Sequence, residues 1–202
     1  MSTKMYLFML IVSTITLTSI LAADNPPPQN NPYPHTASAK INNGAGVQVT
    51  IDFAKVPKEN RPPETSHFKA DRPLTSVTVK YAGLEAGKDY TYFIHEKPVT
   101  GTDCSTAGDR LDPRKVNSAK DPNFHCDRHR PSRCEVGDLS GKHGVLKGNG
   151  QAETPLPVYY DGNLALTYSR RGILGKSIVI VDPTGTAVAC GNVVDPNAPA
   201  TA

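Results

Sequence analysis

His125, His129, Glu135, Asp138 and His143 fall within one short stretch of the chain. Nitrogen and oxygen donors of this kind are what a tetrahedral zinc site takes, four of them at about 2.0 to 2.2 Å. Spacing alone does not assemble them. His125 and His129 would share a face on a helical turn, but Pro131 and the nearby Cys126 and Cys134 argue for an irregular loop, where both imidazoles read equally well as solvated residues. Asp138 has a metal-free alternative, accepting hydrogen bonds from backbone amides to organise its loop. His143, inside the run Gly141-Lys142-His143-Gly144, reads as a turn or surface residue.

The four cysteines allow three pairings. Cys126 and Cys134 are close in sequence, which favours a local bridge and leaves Cys104 and Cys190 to close a long loop. Zinc thiolates at Cys126 and Cys134 are the competing reading, disfavoured in an oxidising compartment. The N-terminus points to such a compartment. Lys4 precedes an apolar run over residues 5–21 that ends in Ala22-Ala23, the pattern of a secretory signal peptide. The mature protein is therefore expected outside the cell.

Charge narrows the partners. The net charge is only +3, and Lys and Arg are interspersed with Asp and Glu rather than gathered into an aromatic-bearing stripe, so nucleic acid is not an expected partner. No second apolar stretch of spanning length follows the first, so neither is a membrane. Arg128, Arg130 and Arg133, with Arg170 and Arg171, form two local basic groups. They read as solvated faces or as attractors of a small anion.

The elements that must position these groups are strands. Helical periodicity is hard to find after the leader, whereas short β-branched or alternating runs recur between Gly, Pro, Asn and Asp clusters. Strands are predicted over residues 46–53, 74–81, 90–96, 145–147, 158–160, 164–168 and 176–181. In Ser76-Val77-Thr78-Val79-Lys80-Tyr81 polar and apolar residues alternate, as a half-buried antiparallel strand requires. The expected fold is all-β, a Greek-key β-sandwich or flattened barrel. The chain divides into a signal peptide (1–23), a Pro/Asn-rich flexible arm (24–40), one β domain (41–194) and a flexible tail (195–202). Within the domain, residues 98–136 are nearly strandless, a length that is uncommon unless the loop is functional or stapled.

Four separated motifs resemble the Cu/Zn superoxide dismutase family, its secreted fungal branch above all. The segment Tyr92-Phe93-Ile94-His95-Glu96-Lys97-Pro98-Val99 resembles the family's copper-binding strand, with Phe93 on the first histidine and His95 on the second. Asp103-Cys104-Ser105-Thr106-Ala107-Gly108-Asp109-Arg110 resembles the stretch carrying a disulfide cysteine and the metal-bridging histidine, here Arg110. Cys134-Glu135-Val136-Gly137-Asp138-Leu139 resembles the zinc-loop ending, with Glu135 on a zinc histidine and Asp138 on the zinc aspartate. Residues 175–181 and Ala187-Val188-Ala189-Cys190-Gly191 resemble the closing strands and the second disulfide cysteine. An ungapped placement sets Arg171 on the fourth copper histidine and Ala187 on the superoxide-steering arginine.

The resemblance implies the family's barrel, a Cys104 to Cys190 disulfide and an ancestry in extracellular superoxide defence. Three departures then alter the implied chemistry. Copper must be held through a redox cycle, and neither Phe93, Arg110 nor Arg171 supplies a ligand, arginine staying protonated. Copper is therefore not an expected cofactor, while zinc stays open through His95, His125, His129, Glu135 and Asp138. Dismutase turnover is expected to be lost or atypical. The rival reading is a non-catalytic binding or structural protein on the same fold.

Overall fold

The computed structural model describes residues 34–116, 121, 123–150 and 152–198. The segment read as a signal peptide, most of that read as a flexible arm and the last residues of that read as a tail lie outside them. Nine antiparallel strands form one curled sheet: β1 (Thr36–Asn42), β2 (Gln48–Lys55), β3 (Thr75–Ala82), β4 (Asp89–His95), β5 (Leu146–Lys147), β6 (Thr154–Pro155), β7 (Tyr159–Asp161), β8 (Ser177–Val181) and β9 (Ala187–Val194). The order across the sheet is β5-β4-β8-β9-β1-β2-β3-β6, with β7 also on β3. Strands β1 to β3 run as a meander, and the chain then crosses to the far side of the sheet to lay β4 against β8. This is the all-β, flattened half-barrel that the sequence pattern calls for.

Alternation explains the inner face. Val49, Ile51 and Phe53 of β2 and Val77, Val79 and Tyr81 of β3 point inward, where they meet Tyr90, Tyr92 and Ile94 of β4 and Ile178 and Ile180 of β8. The sheet is not one-sided throughout. In β8 four consecutive residues, Ser177 to Ile180, are buried, because the long loop between β4 and β5 covers the outer face there. A small outer cluster of Val99, Ala107, Val179 and Cys190 lies under that cover. The disulfide Cys104–Cys190 staples the loop to β9, and Cys126–Cys134 closes a tight ring inside it.

Three expectations change. Strand β1 starts at Thr36, inside the segment read as a flexible arm to residue 40. Its small Ala37 and Ala39 give a weak strand signal, and what makes the strand is pairing with β2 along its whole length and with β9. Residues 164–168, read as a strand, belong to no ladder. Leu164 and Leu166 are buried as their alternation implies, but the backbone bonds locally, Ile173 N–H to Ala165 O and Leu174 N–H to Thr167 O. Third, among the described residues one short α-helix is present, α1 (Leu139–His143), beside four short 3-10 helices.

Candidate functional site

β4 positions the first group. Thr91, Phe93 and His95 point to the outer face, alternating with the core residues Tyr92 and Ile94. Residues 107–111 then lie along the free edge of β4 through Leu111 N–H to Ile94 O (2.8 Å), Glu96 N–H to Asp109 O (2.9 Å) and Lys97 N–H to Ala107 O (3.0 Å). That ladder brings Arg110 over the outer face. Its guanidinium stacks 3.5 Å from the centre of the Phe93 ring, and an N–H nitrogen lies 3.8 Å from the fully buried Glu135 carboxylate. A cation on an aromatic face is favourable by about 0.5 to 2 kcal/mol.

His95 sits half-buried beside this pair. Its Nδ1 lies 2.8 Å from Gly108 O, and since a carbonyl only accepts, Nδ1 carries the proton and Nε2 keeps the lone pair. Burial, with the Arg110 charge nearby, pulls its pKa below the usual histidine range against the opposing pull of that hydrogen bond.

The second group comes from α1. Asp138 caps this helix, its Oδ1 accepting from Gly141 N–H at 2.7 Å. Ser140 ties α1 to β4, its hydroxyl accepting from Tyr92 N–H (2.5 Å) and donating to Tyr92 O (3.1 Å). Gly141 admits nothing larger, because a Cβ there would run into the Asp138 carboxylate and Cys126 Cβ. Gly141→Ala should therefore cost about 1 to 3 kcal/mol through lost capping and overpacking, read as a lower midpoint of urea unfolding.

A buried polar network lies behind α1. Lys142 and Asp161 are both excluded from solvent and pair at 2.5 Å, and Lys142 also donates to Val136 O at 2.8 Å. His143 Nε2 meets the same Asp161 oxygen at 3.0 Å while its ring stacks on Tyr159 at 3.9 Å. The hydroxyls of Tyr159 and Tyr92 meet at 3.2 Å. Burial pushes Tyr92 up to about 12, so both phenols stay neutral. His143, read as a turn or surface residue, is thus part of this interior. Asp161 and Tyr159 lie in no motif, and the motifs that hold Lys142 and Tyr92 give no sign of these partners; the Gly-Lys-His-Gly spacing marks a turn.

Where do the sequence-derived candidates lie? Phe93, Arg110, Asp138 and His125 line one open cavity of about 390 Å³, together with Thr91, Phe124, Cys126, Arg128, Ser140, Gly141 and Val145. His129 is exposed on the loop, and Glu135 is buried behind Arg110. Arg171 is exposed in the β7–β8 connection and is not among the cavity's lining residues. On the neighbouring strand, β8 pairs Val179 with Phe93 and Val181 with Thr91, so Val181 flanks the outer face of β4.

A copper ion does not fit what is here. One face of Phe93 is taken by the Arg110 guanidinium, Arg171 is exposed and does not line the cavity, and His95 is left as the one imidazole of the four matched positions. For zinc, Asp138 is engaged at its helix, Glu135 faces Arg110, and His129 projects from the surface. Among the described residues, no three His, Cys, Asp or Glu side chains come together in a group able to hold a metal ion.

Residues 64–193 match the copper/zinc superoxide dismutase family. Cell surface superoxide dismutase [Cu-Zn] 6 of Candida albicans is 29% identical over 197 residues, 95% of this chain and 55% of that protein. Cell surface Cu-only superoxide dismutase 5 of the same organism is 32% identical over 146 residues, 70% of this chain and 58% of that protein. The chain thus spans little more than half the length of these two relatives. The solved Cu(II) structure of Candida albicans superoxide dismutase 5 superimposes with a TM-score of 0.60 at 27% identity, covering 83% of this chain and 96% of that one.

Proposed function

Because the chain belongs to the copper/zinc superoxide dismutase family, we propose that it is a secreted superoxide-dismutase-like protein linked to extracellular superoxide defence in which copper-dependent turnover has been lost. The carrying observation is the Arg110 guanidinium stacked 3.5 Å over Phe93, two family metal positions turned into a closed cation–aromatic pair. A guanidinium keeps its charge at any working pH and repels a dication placed beside it. His95 alone cannot hold a metal through a redox cycle. Secretion is supported by the leader-like run over residues 5–21 and by relatives named as cell-surface proteins.

The test is metal and activity in one preparation. The mature protein, secreted from an oxidising host, is assayed for bound copper and zinc by mass spectrometry and for superoxide consumption before and after copper loading. Far less than stoichiometric copper and background consumption are expected. Copper near one equivalent with copper-dependent turnover would overturn the proposal.

Zinc at Asp138 is separated by a variant. Asp138→Ala is expected to lower stability by about 1 kcal/mol, the usual loss of a helix cap, and to leave zinc content unchanged. A drop in bound zinc with the substitution would assign the carboxylate to a metal instead.

A further inference from the structure

The cavity beside Phe93 is built to do something without a metal. Phe124 and Val145 give it an apolar wall, and Arg110 and Arg128 line the same space. Arg110 is held by its stack on Phe93 and by the ladder that residues 107–111 make with β4, so its planar fork is ordered before any ligand arrives. Glu135 lies behind Arg110 and is not part of the lining. Asp138 is, but it is almost wholly buried and its Oδ1 is engaged by Gly141 N–H.

The charge that a ligand meets in this cavity is therefore positive. A cationic ligand has no aromatic face to use at Phe93, since Arg110 already occupies it. An inorganic anion would leave the apolar wall unused. We infer that the cavity binds a small organic carboxylate with an apolar or aromatic body, its carboxylate on Arg110 and Arg128 and its body against Phe124 and Val145. The cavity's volume of about 390 Å³ suits a ligand of that size. Planar carboxylate matches the guanidinium fork with two parallel hydrogen bonds. The binding goes beyond the proposed loss of copper turnover and requires no metal.

Benzoate is the probe, with benzamide as its uncharged isostere and inorganic phosphate as the anion lacking a body. Each is titrated into the metal-free full chain by calorimetry and by amide chemical shifts. Benzoate is expected to saturate below about 10 mM and to bind at least about tenfold tighter than either control. Arg128→Gln, an exposed position, is expected to weaken benzoate about tenfold while leaving the melting temperature unchanged, since a hydrogen bond to a charged group carries about that much. Shifts should centre on Val145, Thr91 and Gly141. Equal binding of benzamide, equal binding of phosphate, no saturation by benzoate, or an indifferent Arg128→Gln variant would each overturn the inference. Copper content, measured separately on the same preparation, decides the proposed function without reference to this result.

Discussion

Asp161→Asn is expected to destabilise the domain by about 3 to 5 kcal/mol, although no motif marks the residue. The carboxylate is fully buried and receives Lys142 at 2.5 Å, His143 at 3.0 Å and the backbone N–H of Asn163 at 2.7 Å. Removing its charge leaves the Lys142 ammonium in an interior where an unpaired ion costs several kcal/mol. The same ammonium holds Val136 O, so the loss reaches the segment that carries Glu135, Asp138 and α1. Lys142→Met should cost less, because Asp161 keeps His143 and the Asn163 amide. Replacing both members with apolar residues of similar volume should recover much of the loss.

The pH dependence has a definite sign. Burial alone would push the Asp161 carboxyl up, but the Lys142 charge and the hydrogen bonds from His143 and Lys142 together outweigh it and hold it well below the usual carboxylate range. A depressed folded-state pKa stabilises the fold fully above the unfolded value of about 3.9 and progressively less as pH falls below it. The stability gap between the wild-type chain and Asp161→Asn should therefore narrow as pH falls below about 4. Urea unfolding of both at pH 7 and pH 3 measures it; a gap that widens in acid would show that Asp161 is not the charged partner.

What the sequence made legible follows from what leaves a local trace. Alternation over Ser76 to Tyr81 of β3 marks which side chains face inward, and the structure keeps that assignment. Alternation also marks residues 164–168, yet they form no ladder, since period-two burial reports a face and not a partner. Strand β1 was hidden for the opposite reason. Its partners lie in β2 and β9, and Ala37 and Ala39 say little locally. At the site, the types at Phe93, Arg110 and Asp138 could be read from motifs, whereas the stack of Arg110 on Phe93 needed the ladder of residues 107–111 along β4. The Lys142–Asp161 pair joins α1 to β7 and is a property of the closed fold alone.

The same distinction between local and closed-fold contacts sets the relative worth of the two disulfides. Cys104–Cys190 closes a separation of 86 residues and Cys126–Cys134 one of 8. In the chain-entropy account the first contributes about 4 to 5 kcal/mol and the second about 2 to 3. The packing points the same way. Cys104–Cys190 ties the long loop to β9 over the outer cluster of Val99, Ala107 and Val179, and the ladder that carries Arg110 follows directly from it. Changing Cys104 and Cys190 together to Ser should therefore lower unfolding stability by about 2 kcal/mol more than changing Cys126 and Cys134 together. It should also open the segment around residues 98–111 to proteolysis, whereas loss of the short ring should expose residues 123–134. Denaturant unfolding of the two double variants, with mapping of the first cleavage sites, measures both effects. A reversed ranking would mean that the loop is held over β4 by its backbone ladder and by the Arg110 stack on Phe93, with the long disulfide adding little to the closed fold.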